Sequence, residues 1–171
     1  GGAVALLPVF AKDILMVDSQ GYGLMRAALP LGSALAMMYL SFRPVLHNTG
    51  KWMLGCVALF GLFTIFFALS THLYLSILCL MVTGMVDAVS VVIRGSLLIL
   101  ETPDHIRARV SSVNSMFISS SNELGAFESG FAAHYMGTVR SVIFGGSMTI
   151  FFVIIAFLKA KELIRYEFKL K

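Results

Sequence analysis

Charged side chains are scarce in this sequence. Of its 171 residues, 58% are hydrophobic and 13% are charged, and the mean hydropathy is +0.87. A soluble domain usually carries about 25% charged residues. The shortage of charge excludes an ordinary soluble domain and predicts an all-α integral membrane protein.

Residues that carry metal or catalytic chemistry are also few. Cys56 and Cys79 lie within apolar runs, which is typical of packing residues, and the four histidines are scattered. No metal-ligand spacing, no Ser/His or paired-Asp arrangement and no HExxH motif is present, so we expect no cofactor and no enzyme. Basic residues lie at the ends of apolar runs rather than on one polar face, which argues against a nucleic-acid partner.

Five apolar runs are long enough to cross a bilayer, which takes about 20 residues. They cover residues 22–42, 52–70, 73–100, 112–136 and 142–158. The runs are too long and continuous for barrel strands. Residues 1–11 are apolar but too short to cross, so we expect the second half of a span that begins upstream. Pro30 and Gly32 predict a kink in the first full run.

Lysine and arginine are unequally distributed between the two ends of these spans. One side collects ten of them: Arg43, Lys51, Arg94, Arg107, Arg109, Lys159, Lys161, Arg165, Lys169 and Lys171. The other side has Lys12, Arg26 and Arg140. The positive-inside rule therefore predicts a cytoplasmic C-terminus, with residues 159–171 as a cytoplasmic tail.

Polar residues follow one stripe of the span 73–100. Thr83, Asp87, Ser90 and Arg94 recur every three or four residues, and Asp87 is expected near the membrane midplane. Ionisable groups at that depth normally face the bundle interior or a cavity. The stripe indicates a coupling or substrate-contact site, or a structural ion pair from Asp87 to Arg94. Arg94 is equally well explained as an interfacial anchor.

The span 112–136 carries two acids, Glu123 and Glu128, five positions apart. They lie about 140° apart on a helix, so they do not share a face. Glu123 is the deeper acid and the better candidate for a proton or cation site, whereas Glu128 is a candidate cavity-lining residue that also fits an interfacial group. An apolar arc predicts the lipid face, and its members are Met116, Phe117, Leu124, Phe127 and Phe131. The opposite face is polar, and its candidate cavity residues are Asn114, Ser121 and Asn122.

A charged loop is expected between these two spans. Thr102 is a candidate cap for a short helix that has Pro103 at its first position and Asp104 next. Arg107 and Arg109 fit positive-inside anchoring. Alternatively, Asp104, Arg107 and Arg109 form salt bridges that latch the cytoplasmic side closed.

The segment 87–130 resembles the enterobactin-exporter-like branch of the major facilitator superfamily. The resemblance rests on Asp87, Ser90 and Arg94, on "TPD" (102–104), on Arg107, Arg109 and Val110, on "VN" (113–114) and on "SNELGAFESG" (121–130). The branch often has glycine where this chain has Ala108. In the loop 43–51 the acidic residue expected in the superfamily is absent, so no gating role is carried over there.

The resemblance implies the C-terminal six-helix half of a twelve-helix transporter in the bacterial inner membrane, cut within its first helix. It implies ion-gradient-driven efflux of a small amphiphilic substrate, siderophore or drug-like, in antiport with a proton or another ion. Its partners would be the lipid bilayer and a missing N-terminal half. Two other functions remain open: a lipid or lysophospholipid flippase on the same fold, and a non-transporting membrane scaffold.

Overall fold

The computed structural model describes residues 2–42 and 49–159, and within these ranges it contains helices and no strand. The helices are α1 (Gly2–Ala5), α2 (Leu7–Val9), a π-helical segment (Phe10–Ile14), α3 (Ser19–Phe42), α4 (Thr49–Leu69), α5 (Leu73–Glu101), α6 (Asp104–Met136) and α7 (Thr138–Lys159). Four of them, α3, α4, α5 and α7, are long and apolar enough to cross a membrane. The predicted all-α membrane protein is confirmed.

Helix α6 departs most from the sequence prediction. The short helix predicted within the charged loop begins at Asp104 and is continuous with the span predicted from residue 112, so α6 runs for 33 residues and only Thr102 and Pro103 separate it from α5. Thr102 does not cap it with its side chain; Pro103 holds the cap position, where its missing N–H costs nothing. The serines, asparagines and glutamates of α6 lower its hydropathy, and it is not among the four apolar helices.

Glycines bring α3 and α5 into close contact. A Cβ on Gly32 would lie 2.0 Å from the carbonyl oxygen of Met81, and one on Gly84 would lie 2.2 Å from that of Leu29. The Ser33 hydroxyl donates to the Gly84 carbonyl at 3.0 Å. Close helix approach through small residues is the usual packing inside membranes, where burial of apolar surface adds little.

Helix α3, the first full span, continues through Pro30 to Phe42 without a break. The neighbouring Gly32 serves the contact with α5. A second pair of glycines, Gly61 and Gly146, lies between α4 and α7, with a Cβ on Gly61 3.0 Å from the Gly146 carbonyl oxygen. Helix α5 thus packs between α3 and α4, and α7 packs on α4.

The short N-terminal helices are part of the same core. Leu6, Leu7 and Phe10 are buried, and the ring of Phe10 lies 4.5 Å from that of Phe67 on α4. Helix α6 packs against α1 and α7 at the edge of the bundle. Residues 43–48, with Arg43, and the predicted tail from residue 160 onward lie outside the described residues.

Candidate functional site: a hydroxyl-lined cavity beside Asp87

Asp87 stands at the centre of α5, with fourteen residues of the helix on either side. Its Oδ1 lies 4.0 Å from Nη2 of Arg94, and both side chains are about half exposed, at 52% and 54%. The Arg94 Nε donates to the Ser90 carbonyl at 3.3 Å. Because a distance of 4.0 Å exceeds that of a hydrogen bond, the guanidinium is a loose partner of the carboxylate.

Asp87 also lines a cavity of about 240 Å³ between α1, α3, α4, α5, α6 and α7. Much of its wall is apolar, including Phe60, Phe67 and Leu80. Its polar side chains are one carboxylate and five hydroxyls: Asp87, Thr64, Thr83, Ser129, Ser141 and Thr149. A few polar groups converging in an apolar cavity are typical of small-molecule and ion sites.

Four of these hydroxyls donate their hydrogen to a backbone carbonyl. Thr64 donates to Phe60 at 2.8 Å and Thr83 to Cys79 at 2.7 Å. Thr149 donates to the Gly145 carbonyl at 2.9 Å, and Ser141 donates across to the Ser129 carbonyl of α6 at 3.0 Å. A hydroxyl has one hydrogen and two lone pairs. The lone pairs therefore remain for anything in the cavity, and these four side chains act there as acceptors.

A second cavity, of about 330 Å³, adjoins the first along α6 and α7. Glu128 lines it, together with Ser129, Ser141 and Thr149, which also line the first cavity. Glu123, the acid that the sequence favoured, is exposed on α6 and lines neither cavity. Glu128, rather than Glu123, therefore lines the cavity that adjoins the one beside Asp87.

The other predicted site residues are distributed as follows. Asn114, Ser121 and Asn122 are exposed on α6, as are the five apolar residues of the predicted lipid face. Ser90 is 2% exposed, its hydroxyl has no hydrogen-bond partner within the described chain, and it lines neither cavity.

The charged residues at the start of α6 pair locally. An Asp104 carboxylate oxygen lies 2.6 Å from Nη2 of Arg107, three residues along the same helix. The same nitrogen donates to the Thr102 carbonyl at 3.4 Å, whereas Arg109 is exposed. This arrangement holds the junction between α5 and α6. A latch between separate helices stays a prediction.

Sequence reasoning did not place Thr64, Ser129, Ser141 or Thr149 at the site. Threonine inside an otherwise apolar run, as at Thr64 and Thr149, was the available signal. It does not say which face is buried or whether that face meets a cavity. No group of three or more metal-binding side chains occurs in residues 2–42 and 49–159.

A family model described as "transmembrane secretion effector" matches residues 2–167. The chain belongs to this family. The transmembrane secretion effectors are part of the major facilitator superfamily, so the superfamily named from segment 87–130 is confirmed. Membership points to a multi-pass membrane transporter. No curated protein and no solved structure gives a significant match.

Proposed function

We propose that this transmembrane secretion effector is an ion-gradient-driven exporter of a small amphiphilic molecule, siderophore or drug-like, of the enterobactin-exporter-like branch. The chain would act as the C-terminal six-helix half of a twelve-helix antiporter in the bacterial inner membrane. The family description, which names secretion, supports export. The single observation that carries the coupling mechanism is the carboxylate of Asp87 at mid-helix on the wall of a cavity.

The exposure of α6 supports a covering N-terminal half. None of its residues is buried within the described chain, although Asn114, Ser121, Asn122 and Glu123 are polar. Polar groups at membrane depth are costly unless protein or a water-filled cavity surrounds them. A second half packed over this face would supply both, and the substrate would pass between two halves that rock about the midplane.

The proposed roles follow from these positions. Asp87 and Glu123 contact the coupling ion or the substrate, and Arg94 tunes Asp87 through their loose ion pair. Asn114, Ser121 and Asn122 line the path between the halves. Ser90 and Glu128 are candidates for the same path from the α5 and α6 sides.

Transport by the complete protein in proteoliposomes tests the proposal. A proton gradient should drive accumulation of a fluorescent amphiphile against its concentration gradient, and Asp87→Asn and Glu123→Gln should each abolish accumulation. Asp18→Asn is the matched control, because an amide keeps an oxygen acceptor for the Gly21 N–H that Asp18 now caps at 3.0 Å. Unchanged accumulation by both variants at every pH would make the coupling assignment wrong.

The same vesicles separate export from lipid flipping. A labelled lysophospholipid in the outer leaflet should not move faster with the protein than without it. Gradient-dependent movement of the lipid, with no movement of the soluble amphiphile, would replace the exporter by a flippase.

A further inference from the structure

The cavity beside Asp87 has a donor–acceptor balance that selects its occupant. Four of its hydroxyls donate their hydrogens to backbone carbonyls and leave only lone pairs for a ligand. They belong to Thr64, Thr83, Ser141 and Thr149. An ionised carboxylate is also acceptor-only. The fifth hydroxyl, that of Ser129, rotates to suit its neighbour. The polar side chains of the wall therefore match a ligand that brings its own hydrogen-bond donors.

The charge of the wall fixes the sign of that ligand. Among the described residues that line the cavity, Asp87 alone is ionisable. The Asp87 side chain is about half exposed, and its carboxylate is the charged group on a wall whose other side chains are apolar or carry hydroxyls, so it attracts a positive ligand. Arg94 pairs with Asp87 only loosely, at 4.0 Å, and its Nε donates to the Ser90 carbonyl. One negative charge is balanced by one positive charge, which favours a monovalent cation over a divalent one.

This cavity alone is small for a drug-sized molecule. Pockets for drug-sized ligands are about 300–1,000 Å³, and this one is about 240 Å³. It is nevertheless much larger than a bare metal ion. An ammonium group with a short carbon chain fits this space, and so does an alkali-metal ion that keeps part of its water shell.

We propose that this cavity binds one small monovalent cation bearing hydrogen-bond donors, either a primary ammonium or a hydrated alkali-metal ion. Asp87 is the counter-ion, and the lone pairs of Thr64, Thr83 and Thr149 accept from the donors. Arg94 competes with the ligand for the carboxylate. The site lies inside this half of the transporter and adjoins the cavity that Glu128 lines.

This site rests on the proposed function, because its ligand binds the carboxylate proposed for ion coupling. Binding is measured without an ion gradient and without an exported substrate, so the two proposals are tested separately. Thermal unfolding of the complete protein in nanodiscs is followed at constant ionic strength. Sodium chloride and methylammonium chloride are the two probes, and the chloride of N-methyl-D-glucamine, a much bulkier cation, replaces them in the blank. A ligand that binds only the folded state raises Tm in a saturable manner.

We expect at least one probe to raise Tm, and the probe that does so identifies the cation as an alkali metal, an ammonium or either. Asp87→Asn should weaken apparent binding at least about tenfold, since bonds to charged groups are the strong ones. Thr64→Val should weaken it several-fold, and Thr64→Ser, which keeps the hydroxyl, should restore it. Arg94→Gln should tighten binding because it removes the competing guanidinium, which a purely structural role would not predict.

Two matched controls lie outside the cavity. Ser112→Ala removes a hydroxyl that donates to its own helix at 2.9 Å, as the threonines do, and Asp18→Asn removes a carboxylate. Both should bind like the wild type. The proposal is overturned if neither probe raises Tm, if the rise persists in Asp87→Asn, or if only pH changes Tm, because the occupant would then be a proton. Binding without transport would refute the exporter alone, and transport without binding would refute this site alone.

Discussion

Asp87 on α5 and Glu128 on α6 line neighbouring cavities whose walls have five residues in common. The shared residues are Gly2, Ser129, Ser141, Gly145 and Thr149. The two acids come from helices whose main packing partners differ, since α5 packs on α3 and α4 whereas α6 packs on α1 and α7. A cation in the first cavity would therefore lie beside the Asp87 carboxylate, and the Glu128 carboxylate would lie in the adjoining cavity.

This relationship predicts a rank order for the three acids in cation binding. Asp87→Asn should weaken apparent affinity most, Glu128→Gln next, by about two- to tenfold or up to about 1.4 kcal/mol, and Glu123→Gln least. Attraction falls with distance, and Glu123 lines neither cavity. The cation-dependent rise in Tm of each variant measures the order. A larger loss in Glu123→Gln than in Glu128→Gln would contradict it.

Replacing Gly32 by alanine should destabilise the bundle. The new Cβ would lie 2.0 Å from the Met81 carbonyl oxygen, and two backbones must separate to admit it. Overpacking of this kind costs about 1–3 kcal/mol. The control is Gly23→Ala on the same helix, where a Cβ meets nothing within 4 Å and alanine favours the helix. Thermal unfolding in detergent should show a lower Tm for Gly32→Ala only; equal Tm values for both variants would be inconsistent with the close crossing.

The contact between Phe10 and Phe67 predicts that the N-terminal segment stabilises the whole bundle. Phe10 is 0% exposed, so Phe10→Ala leaves a cavity, and such truncations cost about 3–5 kcal/mol. Val9→Ala removes a side chain that is 39% exposed and should have a small effect. Unfolding monitored in detergent compares the two. A Phe10→Ala protein as stable as Val9→Ala would show that this segment is peripheral.

The ion pair at the start of α6 should contribute little to stability. Asp104 and Arg107 are 2.6 Å apart, but the Asp104 side chain is 87% exposed, and pairs of this kind are worth up to about 1 kcal/mol. A double-mutant cycle of Asp104→Asn and Arg107→Gln, read by Tm, measures their coupling. Arg109→Gln, at an exposed arginine of the same helix, is the comparison. A coupling energy well above about 1 kcal/mol would contradict this expectation, and a changed transport rate in Asp104→Asn would show that Asp104 acts beyond its local pair.

The distribution of lysine and arginine predicts the side of the membrane on which the chain ends. A fluorescent reporter fused after Lys171 should be active, and an alkaline phosphatase fused there should be inactive, because the ten-to-three excess places that end in the cytoplasm. The reverse pattern should appear for fusions at the link between α4 and α5, near Thr71. Phosphatase activity at Lys171 would invert the topology.

Much of the helical order was predictable. A run of about 20 apolar residues has few alternatives to a membrane helix, since lipid leaves no other partner for the backbone. The predicted runs 22–42, 52–70, 73–100 and 142–158 therefore correspond to α3, α4, α5 and α7 within a few residues. The short helix predicted after Thr102 and the span predicted from residue 112 are one continuous helix, α6, because the charges near Asp104 indicate a surface position and do not interrupt a helix.

The sequence predicted which residues of the candidate site share one face of a helix, but not how the helices are arranged around the site. Periodicity put Thr83 and Asp87 on one stripe, and both do line one cavity. It also separated Glu123 from Glu128 around α6, but depth alone favoured Glu123. Which acid adjoins the cavity depends on the rotation of α6 against α1 and α7, and a helical wheel does not contain that rotation.

The sequence by itself determined that the chain is a helical membrane protein, because its hydropathy and scarcity of charge leave the backbone no other way to satisfy its hydrogen bonds in lipid. Segment 87–130 was enough to indicate the superfamily. Only the tertiary structure decided that Thr64, Ser141 and Thr149, from two other helices, line the same cavity as Asp87. That arrangement depends on the glycine crossings that set how closely α3, α4, α5 and α7 approach, and such distances between helices are properties of packing rather than of any one segment.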